Sequence, residues 1–403
     1  MKVTGDLQLV KRMNKSIILD KIRNAGPISR AAISAETGLN KGTVSNLVSE
    51  LIEEQLIMET GTGASSGGRK PVMLLFRAGA GFAIGIDLGV NYLRAALTDL
   101  EGRIVEELLH PLADTSLHLI TQLICESVSE LQRRLPASPY GIIGVGIGVP
   151  GMVDGSGSVI SAPNLGWRDV ELRAALQAAI PLPVWIDNEA NAGALGEKRF
   201  GAGQAYAHFI YVSAGIGIGA GIILNDALFR GSGGLSGEMG HMTIETNGRQ
   251  CRCGNAGCWE MYASENALLH AAQQSGLLAP DEAGDIGLDR MTKLAASGDP
   301  EAIRLFADIG TMLGIGIAGI MNSFNPQAVV VGNRLLLAKP WIAAPLKQAV
   351  EQRGLRSHLR QTDIVFAELG LRSAALGAAS LAIEQFLQND HAARGAGEEP
   401  SRT

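Results

Sequence analysis

The sequence predicts an α/β protein built as a small winged helix-turn-helix head followed by a larger body of two lobes. Three observations carry this. Through Phe76 the chain shows short, capped, helix-periodic segments and then two short strands. From Gly79 the composition changes to glycine-rich apolar strands alternating with helices, the pattern of α/β domains. Two strand openings, at Phe82 and at Phe209, look alike, which suggests an internal duplication.

In the head, Val10, Met13, Ile17, Ile18 and Ile22 follow a helical period that Gly26-Pro27 ends. Ser29 is placed to cap a second helix, Arg30 to Thr37, with Gly38 as its stop. Asn40 is placed to cap a third, Lys41 to Gln55, in which Val44, Leu47, Val48, Leu51 and Ile52 share one face. Two short helices joined by a glycine turn are a helix-turn-helix, and strands at Leu56 to Glu59 and Val72 to Phe76, joined by Gly61 to Gly68, add the wing. The solvent side of the third helix carries Lys41, Thr43, Ser45, Asn46 and Ser49, short polar groups suited to base edges and phosphates. Arg69-Lys70, after a flexible glycine pair, forms a cationic arm slim enough for a narrow minor groove. Charge agrees: residues 1–77 hold 11 Lys+Arg against 7 Asp+Glu, whereas the remainder holds 23 against 33. A basic head on an acidic body suggests an anionic partner for the head alone, although a modest excess is also common on solvated surfaces; operator DNA is the partner expected of the helix-turn-helix, the alternative being a plain interaction module.

In the body, Phe82-Ala-Ile-Gly-Ile-Asp87-Leu-Gly89 reads as an apolar strand ending in an acidic turn. A second strand runs from Tyr92 to Asp99, and Phe209 to Gly221 opens the second lobe. The predicted division is a head at 1–77, a first lobe at 78–195, a second lobe at 196–388 and a disordered polar tail at 389–403, with the lobe break near Leu195 to Gln204. A chain of 42.2 kDa exceeds one small core. Its start mixes charged and apolar residues unlike a signal peptide. The longest weakly polar stretch, Ile309 to Met321, is shorter than the roughly 18–20 residues of a membrane span. A cytoplasmic protein without membrane association is expected.

Three of the four cysteines fall in Cys251-Arg-Cys253-Gly-Asn-Ala-Gly-Cys258, with His241 ten residues before the first. Four Cys and His ligands with turn glycines between them make a tetrahedral Zn2+ set of the structural kind. Cys125 is left alone, which fits a reducing compartment better than a disulfide scaffold. Glu238 and Glu260 flank the set, and a metal that only braces the chain needs neither.

Gly237-Glu238-Met-Gly-His241, the Cys-x-Cys-Gly-x-x-Gly-Cys-x-Glu run from Cys251 to Glu260, and Asp187-Asn188-Glu189-Ala-Asn191 together resemble the ROK family of repressors and sugar kinases, over about residues 8 to 385. The N-terminal segment is similar to the repressor branch, and Ser65-Ser-Gly-Gly-Arg-Lys-Pro71-Val-Met-Leu looks most like the xylose repressors. The resemblance implies an actin-like, two-lobed sugar-kinase fold with the sugar between the lobes. Its contacts would be Asn188, Glu189, Glu238, His241 and Glu260, with Asn164 a further candidate on the rim. Carboxylates accepting paired hydrogen bonds suit the adjacent hydroxyls of a sugar ring, and His241 would bind metal through one nitrogen and a hydroxyl through the other.

The same resemblance marks three departures from the active kinases. Their Gly-Gly-Thr-type turn is here Gly89-Val90-Asn91, the threonine of their second phosphate loop is Ile216, and their catalytic aspartate is Glu189. Phosphate transfer needs donors at both loops, so neither ATP binding nor enzymatic activity is expected. The reading is a repressor, active as a homodimer or higher homo-oligomer on operator DNA and released by D-xylose. A glucose- or N-acetylglucosamine-responsive repressor, or a sugar kinase with an attached interaction module, are the alternatives.

Overall fold

The computed structural model describes residues 7–62, 70–279, 282 and 284–388. Helix α1 (Leu7–Ala25) leads through β1 (Ile28–Ser29) to α2 (Arg30–Thr37) and α3 (Lys41–Glu53), and strands β2 (Ile57–Thr62) and β3 (Val72–Phe76) follow. The caps form as the side chains dictate. Ser29 Oγ accepts from Ala32 N–H at 3.2 Å, Asn40 Oδ1 accepts from Thr43 N–H at 2.8 Å, and Gly38 ends α2 at φ 73°. Strand β3 pairs antiparallel with both β1 and β2. Helix α3 stops two residues earlier than the periodicity predicts, because Gln55 turns into the left-handed region at φ 56° to launch β2.

The head does not hang on a free linker. Ile18, Ile22, Val44 and Leu51 belong to the same apolar core as Ala83, Ile143, Ile383 and Phe386 of the body. Tyr140 Oη donates to the Glu54 carbonyl at 2.8 Å, and its ring meets Phe386 edge-on with centroids 4.9 Å apart. Arg77 N–H, at the junction, donates to the Leu56 carbonyl at 2.9 Å.

The first lobe comprises β4 (Phe82–Leu88), β5 (Tyr92–Asp99), β6 (Ile104–Pro111), α4 (Leu117–Arg133), β7 (Ile142–Val149), β8 (Met152–Val153), β9 (Val159–Ala162), β10 (Trp167–Val170), α5 (Leu172–Gln177) and β11 (Val184–Asn188). Its main sheet runs β11-β7-β4-β5-β6, and β8, β9 and β10 form a small antiparallel sheet beside it. Helix α6 (Glu189–Phe200) then crosses to the second lobe. That lobe holds β12 (Phe209–Ala214), β13 (Ile218–Leu224), β14 (Ala227–Phe229), α7 (Glu260–Ala263), α8 (Glu265–Gln274), α9 (Gly284–Ala296), α10 (Pro300–Phe324), β15 (Ala328–Gly332), α11 (Lys339–Arg353), α12 (Arg356–Leu359) and β16 (Asp363–Phe366). Its sheet runs β14-β13-β12-β15-β16. Counted within each lobe, both sheets have the strand order 3-2-1-4-5, with the first three strands antiparallel and the last two added in parallel. The duplication predicted from two similar openings is therefore present in the topology.

The predicted lobe boundaries need two corrections. A break at residue 195 would fall inside α6, which is continuous to Phe200, and the last helix, α13 (Ser373–Gln388), returns to the first lobe. Its small residues permit this. Ala374, Ala375, Gly377, Ala378 and Ala379 are buried, and its backbone presses so close to β7 and α6 that a Cβ on Gly146 would sit 1.8 Å from the Ala378 carbonyl oxygen. A Cβ on Gly377 would sit 1.6 Å from that of Ala192. Glu197, buried within α6, fixes the crossing: its carboxylate accepts from the backbone N–H groups of Ala202 (2.8 Å), Glu368 (3.2 Å) and Leu369 (3.1 Å), and from Ser373 Oγ (2.7 Å). Helix α10 has the length and hydropathy of a membrane span, yet Leu305, Phe306, Ile309, Leu313 and Ile317 lie in the second-lobe core.

The crossing predicts a contrast between two Gly→Ala changes. Gly377→Ala should lower unfolding stability by about 1–3 kcal/mol, the usual cost of overpacking. Gly319→Ala, on the exposed face of α10 with no atom within 4 Å of its Cβ position, should be neutral or stabilise by up to about 1 kcal/mol. Denaturant unfolding of both variants alongside the parent chain measures the difference.

Candidate metal centre and interlobe cleft

Between β14 and α7 the chain is held in shape by close backbone approach and by side chains rather than by long elements. Gly237, at φ 94°, lies so near β13 that a Cβ would be 2.0 Å from the Ala220 carbonyl oxygen. This pins the short 3-10 turn Met239–His241 against the sheet. Bridges between Thr243 and Cys258 and between Gln250 and Ala256 close the cysteine loop. Trp259, fully buried, anchors it by donating from Nε1 to the Met312 carbonyl at 2.8 Å, with its ring over Gly316 of α10.

The ligand atoms of His241, Cys251, Cys253 and Cys258 all lie within 4.8 Å of one another. His241 Nδ1 is 3.6 Å from Cys251 Sγ, and Cys253 Sγ is 3.7 Å from Cys258 Sγ. Tetrahedral zinc with bonds of about 2.0–2.3 Å has ligand–ligand edges of about 3.5–3.8 Å, which these two distances match. Burial, with the Glu260 carboxylate adding to it, pushes the Cys251 thiol well up. A cation binding here displaces that proton and gains a thiolate.

Around the cluster stand the carboxylates that the sequence singles out. Glu260, the first residue of α7, has Oε1 3.1 Å from Cys251 Sγ and 3.5 Å from His241 Nδ1. Glu260 Oε2 faces the cleft, 2.9 Å from where a Cβ on Gly217 would stand. Glu238 Oε2 lies 3.8 Å from His241 Nε2, the nitrogen turned away from the cysteines. Burial raises the Glu238 carboxyl, with His241 opposing and Glu260 adding. Asn164 reaches the same space from the first lobe: its Nδ2 is 4.0 Å from the Gly217 Cβ position, and its Oδ1 accepts from Arg252 at 3.1 Å.

Asn188 and Glu189 form a separate group. Among the described residues no hydrogen bond joins them to Glu238, His241 or Glu260. Asn188 is the N-cap of α6: its Oδ1 accepts from Ala190 N–H (2.8 Å) and Asn191 N–H (3.1 Å), and its Nδ2 donates to the Gly151 carbonyl at 2.8 Å. Only one N–H of its amide is left for a ligand. Glu189 Oε1 accepts from Ser213 Oγ (2.9 Å) and Asn333 Nδ2 (3.0 Å). Burial pushes the Glu189 carboxyl up to about 8, with the Asp87 charge adding to it. Burial likewise carries Asp87 up to about 6, against a 2.8 Å hydrogen bond from Tyr92 Oη. At neutral pH Glu189 is therefore mostly a protonated acid that can donate as well as accept.

The two glycine loops that depart from the kinase phosphate loops each carry a side chain packed on the glycine. The Tyr92 ring lies on Gly89, 2.3 Å from its Cβ position, and the Asn333 amide lies on Gly215 at 2.9 Å. Arg334 and the buried Glu265 pair beside the second loop through two hydrogen bonds of 2.6 and 3.0 Å. Sequence reasoning missed Tyr92, Asn333 and the Arg334–Glu265 pair. A polar Asn333-Arg334 directly after an apolar strand was the one available signal. On α3, Lys41, Ser45, Asn46 and Ser49 are exposed and Thr43 is half-buried; Lys70 is exposed, and Arg69 lies outside the described residues, as does the tail 389–403.

Residues 83–385 match the ROK family. The xylose repressor of Bacillus spizizenii is 42% identical over 383 residues, covering 95% of this chain and 98% of that protein. A solved ROK family transcriptional regulator, described as a homolog of the E. coli MLC protein, superposes with a TM-score of 0.78 at 29% identity, over 94% of this chain and 97% of its own. A ROK family glucokinase from Streptomyces griseus, solved with glucose and AMPPNP, gives 0.68 at 32% identity, over 75% of this chain and 99% of its own.

The raised Glu189 carboxyl has a pH signature. The unfolded chain ionises near the ordinary 4.5 and the folded chain near 8, so between these values the unfolded state binds fewer protons and stability falls as pH rises. Glu189→Gln should remove this slope: relative to the parent, the variant gains stability steadily from pH 5 to pH 8. Denaturant midpoints at several pH values in that window measure it.

Proposed function

The chain belongs to the ROK family, and from that premise we propose that it is a sugar-responsive transcriptional repressor of xylose-utilisation genes, released from its operator by D-xylose. The observation that carries this is the extent of the xylose-repressor similarity, which spans head and body together at 42% identity. The head is a winged helix-turn-helix. Lys41, Thr43, Ser45, Asn46 and Ser49 on α3 read the major groove, and Arg69 and Lys70 on the wing contact the backbone or minor groove. Two such heads on two half-sites require a homodimer.

Zn2+, held by His241, Cys251, Cys253 and Cys258, fixes the aim of His241 Nε2 into the cleft. Glu238, Glu260 and His241 form one wall of the sugar site. The remaining Asn188 N–H and the Glu189 acid approach from the other group. Tyr92 and Asn333 pack on Gly89 and Gly215, and the apolar Ile216 offers no hydroxyl donor, which supports sensing without phosphoryl transfer. The reducing cytoplasm suits a protein whose thiolates serve a metal.

Metal analysis of the purified chain should return one zinc per protomer, and Cys253→Ser should lose it together with most sugar affinity. A folded chain without stoichiometric zinc would count against the centre. Sugar identity is tested by calorimetric titration of xylose, glucose and N-acetylglucosamine, and by releasing the chain from DNA flanking its own gene. Glu238→Gln or Glu260→Gln should weaken xylose binding about ten- to a hundredfold, the loss of one charge-assisted hydrogen bond, while sugar-free operator affinity stays unchanged. Release by glucose at lower concentration than by xylose would overturn the xylose assignment.

A further inference from the structure

The lobes are bridged across the cleft by two second-lobe arginines to which the motifs give no role. Arg230, just after β14, places NH1 2.6 Å from Asp187 Oδ2 at the end of first-lobe strand β11. Asp187 is only 3% exposed, and its other oxygen accepts from Asn188 N–H (2.8 Å) and Asn191 Nδ2 (3.0 Å). The carboxylate that organises the start of α6 is thus completed by a cation from the opposite lobe. Arg252 stands between the ligands Cys251 and Cys253 and donates from NH1 to Asn164 Oδ1 at 3.1 Å. Between these bridges the second-lobe loop at Gly234 lies against the first-lobe turn, its Cβ position 3.2 Å from Gly155 N.

We propose that Arg230 and Arg252 are positioning residues that clasp the lobes shut over the ligand cleft. Arg252 makes the metal centre part of the closure. Because its backbone neighbours are both metal ligands, the position of its guanidinium follows from the geometry of the cluster. By taking Asn164 Oδ1, it leaves the amide nitrogen as the atom presented toward Gly217 and Glu260. Beside the Glu238 and Glu260 carboxylates the cleft gains a donor there, and a ring hydroxyl needs both kinds of partner. The clasp itself stands on the geometry of the two bridges, and only the nature of what it encloses rests on the proposed sugar site.

Amide hydrogen exchange on the full chain without sugar tests the clasp directly. In Arg230→Gln and Arg252→Gln, exchange over Val159–Trp167 and at Gly215–Ile218 should be several-fold faster than in the parent, with the head unchanged. Parental exchange in both variants overturns the proposal. Xylose titration then reads the consequence. Arg252→Gln and Asn164→Ala should each weaken binding about tenfold and the double variant no more than either alone, since both remove one contact. Asn164→Ala leaves the metal loop untouched, so it stands if Arg252→Gln loses zinc, and multiplicative effects overturn the proposal. Faster exchange in the variants of a parent that binds none of the sugars supports the clasp and removes the sugar-site assignment instead.

Discussion

The rest of the molecule depends on the crossing of α6 and α13. Two helices cannot approach with backbone nearly touching backbone unless side chains are absent at the contact, and Gly377 against Ala192, with Gly196 against Ser373, meets that requirement. The buried Glu197 carboxylate then ties the end of α6 to the start of α13 through three backbone N–H groups and a hydroxyl. A buried carboxylate satisfied by four donors is strongly geometry-dependent. It sets how the first-lobe sheet, the interlobe helix and the C-terminal helix sit together, and the far end of α13 carries Ile383 and Phe386 into the core shared with the head.

This arrangement decides which part is free to move. Head and first lobe share one continuous apolar core, so separating them would expose buried surface; the lobes meet through polar bridges at the cleft and, along α6, through Ala194 and Leu195 packed on Phe209, Tyr211 and Ile223. Under the proposed function, the two-state element is therefore the second lobe moving against a unit made of first lobe and head. Helix α6 spans that junction. It begins at Asn188 and Glu189 in the cleft and ends at Arg199, which pairs with Glu384 of α13 at 2.6 Å, beside α1. The proposed ligand site at one end of α6 and the contacts of its other end with α13 are thus joined by a single 12-residue helix.

What was legible in the sequence is what local chemistry determines. The caps at Ser29 and Asn40, the stop at Gly38 and the duplication of openings all involve residues near one another in the chain. The metal set was legible because three of its four ligands lie within eight residues. The return of α13 was not, since an Ala- and Gly-rich helix shows no strong amphipathic face and its partners lie some 180 to 290 residues upstream. Asn188 is instructive in another way. The sequence motif assigns it to a ligand, yet an Asn immediately before a helix is also an N-cap, and that local demand takes its oxygen. Asn333 and the clasp arginines act through partners far away in the chain, which their own neighbours do not identify.

Under the proposed function, the side chains packed on the two glycine loops fit a sensor for a reason that goes beyond the nucleotide. A kinase must bind the transition state more tightly than the sugar, because uniform binding of substrate lowers KM without raising kcat. A sensor has the opposite requirement: it responds only through the difference in ligand affinity between two arrangements of its lobes, so every contact made to the ground-state sugar in the closed form counts. Under the proposed function, Tyr92 packed on Gly89, Asn333 packed on Gly215 and the Arg334–Glu265 pair crowd the loops that a kinase would use for its nucleotide. The groups proposed to read hydroxyls, Glu238, His241 and Glu260, stand together beside the cysteine cluster. On this argument the metal matters more to the sensor than to a kinase, because it rigidifies the groups whose differential contact with the sugar is the whole signal.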